Sequence, residues 1–208
     1  MNYFDMQLNT LFEKIISKPE LHARLLNTLS LMENTGARKI SASEHSTNVT
    51  LIILKHAAEE HRHAYYLKKQ IAKIDETLCP TYSYEYLLAP ASSRLYLNKL
   101  DTEVSRYLKN TLGLSGNELK FAAYLLVTYA IEVRADELYP VYQEALDSAK
   151  SKVNVKSIIL EEEGHLEEML KQLKEFSAEW ETHADKALEI ESRLFDAWAQ
   201  ALSKEVIG

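Results

Sequence analysis

Apolar residues recur every three to four positions over most of the chain, and no strand-like alternation holds for long. The first such stretch, 3–17, is short and amphipathic, with Phe4, Leu8, Leu11, Phe12, Ile15 and Ile16 on one side. Pro19 stands where a helix likes to begin. The pattern predicts a helix over about 19–41, whose inward stripe of Leu26, Leu29, Glu33, Ala37 and Ile40 holds a single acid. Ser41 to Ser46 supply turn and capping residues. A second helix is predicted over 46–74, with Ile53, His56, Glu60, His63 and Leu67 on one face. The pattern breaks from Asp75 to Pro90, a loop with a short helical turn at most, and resumes over 92–112 through Leu95, Leu97, Leu100, Val104, Tyr107 and Leu108. Past Gly113 and Gly116 a long helix is predicted over 117–148, with Phe121, Leu125, Thr128, Glu132, Ala135, Tyr139 and Tyr142 inward. Pro140 inside it should bend it or remove one hydrogen bond. A fourth long helix follows over 153–177 (Ile158, Glu162, His165, Met169, Leu173), and a last one over 179–206 is expected on the outside. The expectation is an all-α single domain over 1–208, two helical hairpins joined by a long crossover.

Composition agrees with that class. The chain has 208 residues, 46% hydrophobic and 26% charged, enough apolar material for one sizeable core. Only 5 Gly and 4 Pro are present, which suits few turns. The net charge of −7 argues against a nucleic-acid partner, because phosphate binding needs a basic footprint. The single cysteine, Cys79, allows no disulfide within the chain and no four-cysteine metal site; it reads as a loop thiol. The N-terminus has no signal-peptide pattern, and no apolar run approaches the ~20 residues of a bilayer span. A cytoplasmic protein with no membrane partner is therefore expected.

One feature speaks of chemistry. Glu59-Glu60-His61-Arg62-His63 and Glu161-Glu162-Glu163-Gly164-His165 each contain Glu-x-x-His, and a lone acid, Glu33 or Glu132, lies about thirty residues before each. Glu and His at i and i+3 project from one helix face. In an antiparallel hairpin, residues equally far from the turn stand side by side. The midpoints of Glu33 with Glu60 and of Glu132 with Glu162 fall near Ser46 and Asp147, close to the predicted turns. Each lone Glu should thus stand level with its Glu-x-x-His, roughly 20 Å from the turn. Chance alone supplies about one Glu-x-x-His in a chain of this composition, so the spacing by itself is weak. Its strength is that all six residues lie on otherwise apolar stripes, where four carboxylates would repel unless a cation neutralised them. The competing reading is a solvated acidic face.

At these six residues the chain resembles the ferritin-like di-iron carboxylate superfamily, which includes ferritins, rubrerythrins, ribonucleotide reductase small subunits and di-iron oxygenases. The resemblance spans about residues 20–177. It implies a ferritin-like four-helix bundle with two iron ions, manganese being possible, held by Glu33, Glu60, His63, Glu132, Glu162 and His165. The first motif is also similar to the Asp-Glu-x-Arg-His motif of bacterial multicomponent monooxygenases, whose leading acid orients the opposite metal-bound His. By that analogy Glu59 would hold His165 and Glu161 would hold His63, with Glu in place of Asp and Gly164 where Arg would stand.

Other residues invite roles. His56, a turn before Glu60, is either a seventh ligand or a polar residue lining the cavity. Tyr129 and Tyr139 are candidate partners of a ligand or redox tyrosines, against the commoner reading of core aromatics. Gly36 and Ala37 either leave space beside the metals or mark a close helix crossing. The leading functional expectation is an oxidase or oxygenase acting with O2 on a small organic substrate, drawing electrons from an external donor, because the crossover and C-terminal helices add walls that an iron store does not need. The alternatives are a ferroxidase or storage subunit and a peroxide-reducing protein. A monomer or homodimer suits the first, a large shell the second. A rubrerythrin-type rubredoxin domain is excluded by the cysteine count. The substrate is not legible.

Overall fold

The computed structural model describes residues 3–208, with the side chains of residues 3–6 and of Glu163 left aside, so the expected inward position of Phe4 lies outside the described residues. Seven α-helices and no strand occur among the described residues: α1 Tyr3–Ile16, α2 Pro19–Ser43, α3 Leu51–Gln70, α4 Pro90–Leu112, α5 Gly116–Ser148, α6 Lys156–Phe176 and α7 Trp180–Ile207.

The boundaries follow local chemistry. Pro19 and Pro90 open α2 and α4, where a missing N–H costs nothing. Gly113 closes α4 at φ 66°, the left-handed conformation a Cβ disfavours. The predicted start of α3 at 46 is five residues too early. His45 Nδ1 accepts from the backbone N–H groups of Thr47 and Asn48 at 3.2 Å and holds those residues in a loop, and Thr50 caps the helix instead through Ile53 N. At its other end α3 tightens into one 3₁₀ turn, Ile71–Lys73. Pro140 sits on the exposed face of α5, which continues past it.

Helix α2 packs along α3, and α5 along α6. The two hairpins meet through α2 and α5. Between α3 and α6 the contact is polar: Lys55 and His56 reach Glu168, Arg62 and His63 reach Glu161, and Glu59 reaches His165. Helix α4 lies against α5, α2 and α7. Trp198 of α7 is buried and donates its indole N–H to Ser93 Oγ of α4 at 2.9 Å. A buried network ties the same three helices: Arg134 of α5 forks onto Glu191 of α7 at 2.9 and 2.8 Å, and Tyr96 of α4 donates to the same carboxylate. Two positions expected to face inward do not. Phe121, near the start of α5, is 39% exposed and meets Phe176 edge-on, and Leu95 is 48% exposed. No helix among the described residues is long and apolar enough to cross a membrane.

Candidate metal centre

Four helices send acid or imidazole into one buried cluster. Glu33 comes from α2, Glu60 and His63 from α3, Glu132 from α5, and Glu162 and His165 from α6. Glu33 is partly buried, and the other five are exposed by 6% or less. The donor atoms form two sets that share Glu60. One set is Glu60, Glu132, Glu162 and His165, the other Glu33, Glu60 and His63, and within each the atoms lie within 4.8 Å of one another.

Glu162 also touches both sets. Its Oε1 is 3.0 Å from His63 Nδ1, and its Oε2 is 3.3 Å from His165 Nδ1. Glu60 Oε1 lies 3.9 Å from each of these nitrogens, and Glu132 Oε2 lies 3.4 Å from His165 Nδ1. Donors about 2.1 Å from a shared octahedral ion stand roughly 3 Å apart when adjacent and about 4.2 Å apart when opposite. The five contacts just given, 3.0 to 3.9 Å, fall between those two values.

Both imidazoles turn Nδ1 inward and Nε2 outward. His63 Nε2 donates to Glu161 Oε2 and His165 Nε2 to Glu59 Oε2, each at 2.8 Å. A proton on Nε2 leaves the Nδ1 lone pair facing the carboxylates, as metal ligation requires. Arg62 forks onto Glu161, one arm at 2.6 Å, whereas Gly164 leaves Glu59 without an equivalent arginine. His63 Nδ1 and Glu132 Oε2 are buried with no hydrogen-bond partner. Buried polar atoms are nearly always paired, and one cation in each donor set would pair one of these two atoms. The donor set therefore fits a pair of metal ions.

The electrostatics point the same way. Burial, with Glu33, Glu162 and Glu132 around it, drives the Glu60 carboxyl well above its ordinary range. Burial and the charge of Glu162 do the same to Glu132. Burial would raise Glu162 too, but its close polar contacts with Glu132, His165 and His63 hold it far below. Burial would lower His165, yet Glu132 and Glu162 overcome that and push it up to about 11. Carboxylates this close need positive charge among them. Protons supply part of it in the metal-free chain, and two divalent ions would supply it in full.

The remaining candidates separate. Both nitrogens of His56 are occupied, Nδ1 by the Tyr124 hydroxyl at 3.0 Å and Nε2 by Glu168 at 2.9 Å, so it offers the cluster no donor atom although its ring lies 5.0 Å from that of His165. Tyr139 donates its hydroxyl to Glu33, and burial followed by the Glu33 charge raises its phenol well above the ordinary range. Tyr129 is partly buried with Asp185 of α7 as its charged neighbour, and it stands one position off the Thr128–Glu132 stripe.

A cavity of about 300 Å³ opens beside Glu60 and Glu132 between α2, α4 and α5. Gly36 forms part of its wall; an added Cβ there would come to 3.8 Å from Glu60 Oε2. Ala37 is buried and does not line it. The crossover helix α4 contributes Leu97, Asp101 and Ser105, while α7 contributes nothing and packs behind α4. Tyr124, which lines the cavity and touches His56, escaped the sequence reading. Its place two turns before Glu132 was the available signal. Comparison with protein-family models, curated proteins and solved structures finds no significant match.

Proposed function

We propose that the chain is a ferritin-like binuclear metal protein, with two iron ions at the cluster and O2-dependent oxidation or oxygenation of a small organic substrate as its reaction. The observation that carries this reading is the pair of buried donor sets sharing Glu60. Glu33 and His63 would hold one ion and Glu132 and His165 the other, with Glu60 and Glu162 common to both. Carboxylate and imidazole donors suit iron, and manganese is the alternative. Bound ions of this kind supply the redox centre and the site for dioxygen.

The chain's own residues do the rest. Glu59 and Glu161 keep Nε2 protonated and aim Nδ1 of His165 and His63 at the cluster. Tyr139 fixes the Glu33 carboxylate. The apolar walls of the cavity flank Glu60 and Glu132, which are exposed by 6% or less. Electrons come from an external donor. Ferroxidase or storage activity is the competing reading, and the largely apolar cavity favours the organic substrate over it, because a path for iron calls for oxygen-rich walls.

Anaerobic calorimetric titration of the chelator-treated chain with Fe(II) tests the assignment. Glu132→Ala should lose at least one ion, and Glu167→Ala, on the exposed side of α6, should lose none. Equal stoichiometry in the two variants would place the metals elsewhere. Size-exclusion chromatography separates the functional readings: a monomer or homodimer agrees with the oxidase, and a large shell with storage.

A further inference from the structure

The two ends of the cavity beside the cluster differ in chemistry. Glu60 and Glu132 close the inner end, and Ile40, Leu97, Ala123 and Val127 form the walls. Lys39, Asp101 and Lys120 also line it, and all three are at least partly exposed. Lys39 donates to Asp101 at 2.8 Å, so those two charges cancel. Lys120 is exposed, and no described residue pairs with it. The mouth therefore carries one surplus positive charge, while the floor is a cluster of carboxylates.

The cavity is also long. Glu132 and Lys120 line it from one helix, and the rise between them is about 18 Å. A volume of about 300 Å³ is at the small end for ligand pockets. A long space of small volume takes a slender molecule rather than a fused-ring one. An apolar wall takes a hydrocarbon body, and the surplus positive charge of Lys120 attracts an anionic head.

We propose that this cavity binds an aliphatic monocarboxylate with a chain on the order of ten carbons, a length set by the helix rise, with its carboxylate at Lys120 and its tail toward Glu60 and Glu132. As a substrate assignment this rests on the metal-centre reading, because the tail would present C–H bonds to that centre. The binding itself requires only the cavity and its mouth.

Titration calorimetry on the full chain as purified tests it, with octanoate, decanoate, 1-octanol and octylammonium as probes. Octanoate should bind once per chain and a few-fold more tightly than the alcohol or the ammonium. Each added methylene is worth about a four-fold gain, so decanoate should bind more than ten-fold tighter than octanoate. Lys120→Glu should weaken octanoate about three- to ten-fold, and Asp101→Asn, which releases Lys39, should strengthen it a few-fold. Both positions are at least partly exposed, and thermal melts check that each variant folds. A merely structural effect would weaken binding in both variants, so shifts of the same sign would overturn the head-group assignment. Equal binding of alcohol and carboxylate would do the same, and absence of binding by every probe would overturn the site. Metal content measured on the same samples keeps the two readings apart. Normal metal without octanoate binding sinks only this inference, and octanoate binding to a chain with no metal affinity sinks only the metal centre.

Discussion

Glu161 on α6 takes the Nε2 proton of His63 on α3 at 2.8 Å. The reciprocal pair, Glu59 of α3 and His165 of α6, has the same separation. Each helix thus orients the imidazole of the other, and the two contacts fix the spacing of α3 and α6 where apolar packing is thin. Arg62 holds Glu161 in place from the same helix as His63.

If the cluster holds metal, loss of that orientation should be felt in affinity. Glu161→Ala should weaken metal binding roughly 10- to 100-fold, the usual cost of removing a carboxylate behind a ligating His. Competition with a chelator of known affinity reads this directly. An unchanged affinity would make the Glu161–His63 contact a surface ion pair and nothing more.

The Arg134–Glu191–Tyr96 network predicts a large stability effect far from the metals. Glu191 is 1% exposed, and its removal would leave the partly buried Arg134 charge with the exposed Glu137 carboxylate in place of its buried fork. Glu191→Ala should cost about 3–5 kcal/mol in urea unfolding. A cost below about 1 kcal/mol would mean that water reaches the site.

His22 gives a pH dependence of known sign. It is buried beside the Tyr142 hydroxyl at 2.8 Å, and burial lowers its pKa to about 4 from an unfolded value of 6.5. Between those values the unfolded chain binds a proton that the folded chain does not. Stability should therefore fall as pH drops from about 6.5 toward 4, by up to about 3 kcal/mol from this group. His22→Gln should lose less stability than the parent between pH 7 and pH 4.5. Parallel curves for the two chains would show that His22 is protonated in the fold.

Metal binding should also stabilise the fold, because the carboxylates are brought together only in the folded state. At a free metal concentration of 100 times Kd, linkage gives about 2.7 kcal/mol per site. The midpoint of thermal unfolding should rise with Mn(II) or with anaerobic Fe(II) and stay level with Mg(II), which dehydrates reluctantly and disfavours imidazole.

Much of this arrangement was legible in the sequence. Helix periodicity placed all seven helices, and a lone acid on an apolar stripe singled out Glu33 and Glu132. What stayed hidden depends on capping and on how helices pass one another. Ser46 and Thr50 are both plausible caps, and the His45 turn decides between them. The midpoint near Asp147 falls inside α5 because residues 149–155 run on as a connection before α6, held by Gln143 and Gln70 to Val155 and Asn154. Phe121 has the right helical phase but lies near the bundle's end, where little covers it. Tyr129 differs from Thr128 by a single step, enough to turn it toward α7. The cavity needs the path of α4, which no pattern within α4 itself encodes.

Elemental analysis of the chain purified without chelator, reported as metal per polypeptide, is the most direct measurement. Two iron ions per chain, or two manganese ions, are expected, falling to one or none in Glu132→Ala. A parent chain that carries no transition metal, and takes up neither Fe(II) nor Mn(II) on anaerobic titration, would contradict the binuclear centre.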